Sequence, residues 1–209
     1  MNVVVKFQNR SSLFMEDLRI TKERADELVE KYIKEPMTKL HLLESEAIMR
    51  ELAKHWGEDE EKWGIIGLLH DIDWDLTKNN LEQHCIKAQE ILRQAGASDF
   101  LIETIISHGY DNETIPGLKD KKRKTAIQHC LVAAETLTGI IVASALVQPD
   151  KKLSSVQLPS LKKKFKSKSF AANCNRDQVG ECEKAGISID DFLEIGLRAL
   201  QRISSKLGL

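Results

Sequence analysis

Apolar side chains recur every three or four positions through most of the chain, and strict alternation is nearly absent. The pattern therefore predicts helices packed on helices, an all-α fold. After Thr21, a residue suited to cap a helix, Ala25, Leu28, Val29, Tyr32 and Ile33 line one face until Pro36 stops the run. Met37 to Trp56 repeats the pattern and ends at Gly57. Glu58 to Glu61 then put negative charge on the first turn of a third helix, where the macrodipole favours it, and that helix runs toward His70.

Leu81 to Gln94 reads as one further helix closed at Gly96, and Ser98-Asp99 start a short one through Ser107. A loop over 109–117 precedes a long helix expected from about Lys119 to Val147 and ended by Pro149. Leu158-Pro159 opens a lysine-rich piece, and Ser188 with Asp191 forms a capping box for a last helix to about Leu207. No internal repeat is found. The organisation is read as an N-terminal appendage over 1–14, a helical core over 15–150, and over 151–209 a basic segment with C-terminal helices packing on the core.

Composition narrows the class. With 42% hydrophobic and 30% charged residues the chain has the balance of an ordinary globular protein, which excludes a disordered tail. At 209 residues it buries enough surface to need no disulfide or structural metal to hold a core, so a metal would serve chemistry. The net charge of −1 provides no overall field for nucleic acid or an anionic membrane. Four cysteines without a C-x-x-C pair, and a start lacking a long apolar stretch, lead to the expectation of free thiols and a cytoplasmic location. From Ala126 to Val147 only Glu135 is charged, but Gln128, His129, Thr136 and Thr138 interrupt the run, which is read as a buried helix and no membrane span.

Candidate chemistry centres on histidine and acid. His70-Asp71 ends the apolar stretch Ile65 to Leu69; adjacent residues on a helix diverge by about 100°, so both reach one ion only beside the helix end. A histidine favourably placed at a helix C-terminus is the alternative for His70 alone. His41 shares a helix face with Ile48 and Leu52, His84 is read on a face with Ala88 and Ile91, and His108 falls at a helix end. Each alone could be a satisfied core histidine. Glu135 shares its face with Leu131, Thr138 and Val142, with no lysine or arginine within a turn, so burying it calls for a cation, a proton or a polar neighbour.

Taken together, His41, the adjacent His70-Asp71 and the later Glu135 resemble the signature of the HD phosphohydrolase superfamily of metal-dependent hydrolases. The stretches from His41 to Arg50 and from Ser160 to Phe170 resemble a bacterial subgroup of HD-domain proteins. The resemblance implies an HD-domain helical bundle with a smaller C-terminal helical extension, residues 15–150 being the HD metal-binding core. It implies metal ligation by His41, His70, Asp71 and Glu135, with His84 and His108 matching the intermediate histidines of members that hold two metals. Family members usually carry Asp where Glu135 stands.

Imidazole and carboxylate ligands suit Mn, Fe, Zn or Co, with Mg or Ni admitted, and with few thiolates in the sequence a soft-metal site is not expected. One or two such ions would activate a water for phosphoester hydrolysis, with Asp71 as the bridge between two. The implied activity is a metal-dependent phosphohydrolase acting on a nucleotide or another small phosphoester, phosphomonoesterase and phosphodiesterase both remaining open. Asp73 is the candidate catalytic residue, to orient the water or protonate a leaving group; Glu44, one turn from His41, is a second acid to watch. The alternative is a non-catalytic HD module binding a phosphorylated ligand or RNA through the lysine clusters Lys119 to Lys124 and Lys162 to Lys168. His129 is given no site role.

Overall fold

The computed structural model describes residues 17–209, and the appendage expected over 1–14 lies outside them. The described residues contain helices and no strand, as the sequence pattern predicts. Helix α1 (Lys22–Tyr32) is capped by the Thr21 hydroxyl, which accepts from Arg24 N. Helix α2 (Pro36–Trp56) has proline in its first turn, where the missing N–H costs nothing, and ends at Gly57 with φ +71°. Helix α3 (Glu60–Leu69) is capped by Asp59, and α4 (Trp74–Thr77) is a single turn.

Helices α2 and α3 pack at close range because Gly67 has no side chain: a Cβ there would lie 2.7 Å from the Ser45 carbonyl oxygen. That approach holds α3, which ends at His70 and Asp71, against α2, whose second turn carries His41.

The stretch expected as one helix over 81–94 is broken in two. Leu81–Gln83 form a 3-10 turn, His84 is extended, Cys85 takes φ +65°, and helix α5 (Ile86–Gln94) begins only afterwards. His84 therefore does not share a helix face with Ala88 and Ile91; it precedes the helix. The start of α5 is fixed from a distance, because the Asp73 carboxylate accepts from Ala88 N at 3.0 Å and acts as the cap that the local sequence lacks.

Helix α6 (Asp99–Ile106) starts at the Ser98 cap and runs into a 3-10 turn over 107–109 that carries His108. The long helix α7 (Ala126–Leu146) begins about seven residues later than expected. A capping box between Thr125 and Gln128 sets its start, while Arg123 turns away to donate to the His108 and Tyr110 carbonyls. Helix α7 is long and apolar enough to cross a membrane, but most of it is buried in the protein against α2, α9 and α10.

The C-terminal part adds α8 (Leu158–Lys166), α9 (Arg176–Lys184), α10 (Ile189–Arg202) and the single turn α11 (Ser204–Leu207). The last helix ends at Arg202, sooner than expected, because Ile203 leaves helical geometry. Gly196 of α10 lies against α7, where a Cβ would meet Leu137 at 2.6 Å. Glu51 of α2, almost fully buried, pairs with Arg198 and Arg202 of α10. The 151–209 segment thus docks on the core through both apolar contact and charge.

Candidate metal centre

Four histidines from four parts of the chain meet around one carboxylate. His41 comes from the second turn of α2, His70 from the end of α3, His84 from the break before α5 and His108 from the turn after α6. They form two pairs: His41 Nε2 lies 3.1 Å from His70 Nε2, and His84 Nε2 lies 3.0 Å from His108 Nε2. Asp71 stands between the pairs. Its Oδ2 is 3.6 Å from His70 Nε2 and 3.9 Å from His41 Nε2; its Oδ1 is 3.3 Å from His108 Nε2 and 3.5 Å from His84 Nε2.

The far side of each ring fixes its tautomer. His70 Nδ1 faces the Gly67 carbonyl at 2.8 Å and His108 Nδ1 faces the Ile105 carbonyl at 2.6 Å, so both nitrogens must donate. His84 Nδ1 donates to the Asp73 carboxylate at 3.0 Å. His41 Nδ1 donates to Thr138 Oγ1 at 3.1 Å, because that hydroxyl spends its own proton on the Glu135 carbonyl. All four Nε2 atoms of the neutral rings therefore present lone pairs inward. Lone pairs facing each other at about 3 Å, beside a carboxylate, call for a shared proton or a cation, and nitrogen with oxygen donors suits a divalent transition metal. The residues present fit such an ion.

Electrostatics divide the two pairs. Burial pushes His70 down to about 3 despite the charge of Asp71, so its ring is a neutral donor throughout the neutral range. Burial would lower His84 as well, but the Asp73 and Cys85 hydrogen bonds and the Asp71 charge carry it up to about 10. His108 is raised well above its ordinary value, with Cys85 and Asp71 overcoming burial. Burial would raise Asp71, yet the surrounding imidazoles hold it well below the usual carboxylate range. Without an ion, protons gather on the His84 and His108 side.

Asp73 requires a correction. The expectation is an acid that orients the water or protonates a leaving group. It is wholly buried, with Oδ1 accepting from His84 and Oδ2 from Ala88 N, so both oxygens are engaged inside the protein and neither is exposed at the surface. It is a positioning residue that orients His84.

Glu135 lies near both pairs, close enough for the charges of His108 and His41 to oppose the upward push of burial on its carboxyl. Its Oε1 accepts from Thr136 Oγ1 at 2.6 Å, and the Glu135 carboxylate is not among the donor groups that cluster in the described residues. His129 Nδ1 meets Glu181 at 2.6 Å. Glu44 is buried without a charged neighbour, and burial pushes it up to about 7.

Two residues escaped the sequence reading. Cys85 groups with His84 and His108, its Sγ 3.7 Å from His108 Nε2. The His84-Cys85 dipeptide was the signal, and reading the stretch as a continuous helix hid it by turning neighbours about 100° apart. Arg123 was taken as one more charge in a basic run, but its guanidinium is buried against the loop that carries His108. A cavity of about 390 Å³ opens beside His108 between that loop, Arg123 and the first turn of α9 with Asn175 and Gln178. Three other cations of the first cluster are engaged: Lys119 with Glu113, Lys121 with Glu103 and Lys122 with Asp111.

Comparison with known proteins gives one match. Residues 39–142, about half of the chain, match the HD domain family, and that span contains His41, His70, Asp71, His84, His108 and Glu135. No curated protein and no solved structure matches the chain.

Proposed function

The chain carries an HD domain and belongs to that family, and from this premise we propose that it is a metal-dependent phosphohydrolase acting on a nucleotide or another small phosphoester. The observation that carries the reading is Asp71, with one oxygen toward the His41 and His70 pair and the other toward the His84 and His108 pair. On this reading His41, His70, Asp71 and Glu135 hold one ion, and His84, His108 and Asp71 hold a second. Mn, Fe, Zn or Co suits these donors, and Mg or Ni is admitted. When bound, such an ion supplies Lewis acidity toward a phosphoryl oxygen and a water that ionises near neutral pH.

The protein's own groups prepare the site. His70, neutral because it is buried, offers its lone pair without first losing a proton. Asp73, Thr138 and the Gly67 and Ile105 carbonyls hold the outer nitrogens of the four rings and so fix the direction in which each Nε2 points. Arg123 braces the loop bearing His108 through two carbonyls at 3.0 Å. The cavity beside His108 falls within the size range of small-molecule sites; Asn175 and Gln178 offer it neutral hydrogen-bonding groups, and Asp111, Glu113, Asp177 and Glu181 add acids that favour a polar or cationic part of a ligand there over its phosphoryl group. Four free cysteines fit a reducing compartment, and a cytoplasmic location is part of the proposal.

The alternative, a non-catalytic module that binds a phosphorylated ligand or RNA, leans on the lysine clusters. Their partial engagement in ion pairs, including Lys162 with Asp190, leaves that reading less support. The deciding experiment is metal content and hydrolysis of a nucleotide and phosphoester panel by the parent, His70→Ala and Asp71→Ala. The expected result is loss of metal and turnover in both variants. Unchanged metal stoichiometry in both would overturn the reading, and metal-loaded parent that hydrolyses nothing yet binds RNA with steep salt dependence would favour the alternative.

A further inference from the structure

We infer that the thiolate of Cys85 is a ligand of the ion held by His84 and His108, making this half of the centre a site of two imidazoles, one thiolate and the Asp71 carboxylate. The inference rests on the metal-centre reading above. Three observations carry it.

The first is spacing. Around a tetrahedral zinc, ligand bond lengths of about 2.3 Å to sulfur and about 2.0 Å to nitrogen set the sulfur to nitrogen separation near 3.6 Å and the nitrogen to nitrogen separation near 3.3 Å. Cys85 Sγ is 3.7 Å from His108 Nε2, and the two Nε2 atoms are 3.0 Å apart. Asp71 Oδ1 lies 3.3 Å and 3.5 Å from the same nitrogens, while the three donor atoms that group together are those of His84, Cys85 and His108.

The second is direction and burial. His84 and His108 are each 8% exposed, and with their opposite nitrogens committed to Asp73 and the Ile105 carbonyl their Nε2 atoms converge with the sulfur. Cys85 itself is 2% exposed.

The third is the room made for the sulfur. Gly109 follows His108 directly, and a Cβ at that position would lie 2.7 Å from Cys85 Sγ. Any side chain there would push the thiol away from the imidazole pair.

A thiolate changes what the site selects. Nitrogen and oxygen donors alone accept Mn or Mg readily, whereas a sulfur ligand shifts preference toward Zn, Co or Fe(II). The expectation of a site without sulfur, drawn from the small number of cysteines, is thereby revised for this half of the centre.

The test uses full-length protein loaded with Co(II), whose coordination is visible where that of zinc is not. Parent protein should show visible ligand-field bands together with a near-ultraviolet sulfur-to-cobalt charge-transfer band. Cys85→Ser should lose the charge-transfer band, keep ligand-field absorption from the other pair, and bind zinc at the second site at least about tenfold more weakly. X-ray absorption of zinc-loaded parent, which needs no variant, should show a zinc–sulfur distance of about 2.3 Å. Cobalt uptake with ligand-field bands and no sulfur signature in either measurement would overturn the thiolate ligand and leave the metal centre standing. No cobalt or zinc uptake at all would overturn both.

Discussion

Asp73 Oδ1 lies 3.0 Å from His84 Nδ1 while Asp73 Oδ2 accepts from Ala88 N, so one buried carboxylate both orients the His84 ring and caps a helix. Asp73→Asn can satisfy one of these donors and must turn an amide N–H toward the other. The expected outcome is a fall of about 10- to 100-fold in metal affinity at the His84 and His108 pair, with the other pair retained, and a stability loss of about 1 kcal/mol from the weakened cap. Calorimetric metal titration and thermal melts check both. Unaltered affinity at that pair would show that the hydrogen bond does not govern the ring.

Glu135→Gln removes charge and keeps the oxygen that Thr136 donates to. Metal occupancy of the His41 and His70 pair should therefore drop while the melting temperature moves little. A variant that is more stable and equally loaded with metal would mean that α7 merely tolerates a protonated acid.

Glu44 supplies a pH dependence. Its ordinary value of 4.5 is pushed by burial to about 7 in the folded protein, so the folded state holds the proton longer than the unfolded state. Stability contributed by the neutral acid is present below about 4.5 and declines as pH rises toward 7, by up to about 3 kcal/mol. Glu44→Gln should match the parent in denaturant melts at acidic pH and exceed it above neutrality. Equal stability across the whole range would contradict the burial assignment.

Gly67→Ala sets a Cβ within 2.9 Å of two Ser45 backbone atoms, which cannot swing aside as a flexible side chain could. Separating α2 from α3 should cost about 1–3 kcal/mol and shift the carbonyl that orients His70, so chemical denaturation and metal binding should both weaken.

Much of this was legible in the sequence. Thr21, Ser98 and Ser188 cap helices as their residue types and positions suggest, because capping is settled within three or four residues. His70-Asp71 drew attention because two donors stand side by side at the end of an apolar run. The late start of α7 and the break at His84 and Cys85 were misread for a common reason: the helical pattern continues through them, and the groups that interrupt it come from elsewhere. Arg123 reaches back to His108 and Tyr110, and Asp73 caps α5 from eleven residues before His84 and fifteen before Ala88.

The sequence by itself determined the helical class, most helix ends and the inventory of donors, since periodicity and caps act over a few residues. Only the tertiary structure decided what those donors do. Asp73 became the support for His84 because both its oxygens meet donors brought by α5 and the turn before it, and Cys85 joined the histidines because a backbone turn at φ +65° points its sulfur at His108. The direction of a lone pair is set by what binds the other side of the ring. For His41 that partner is Thr138, 97 residues along the chain, a distance over which local sequence carries no geometric information.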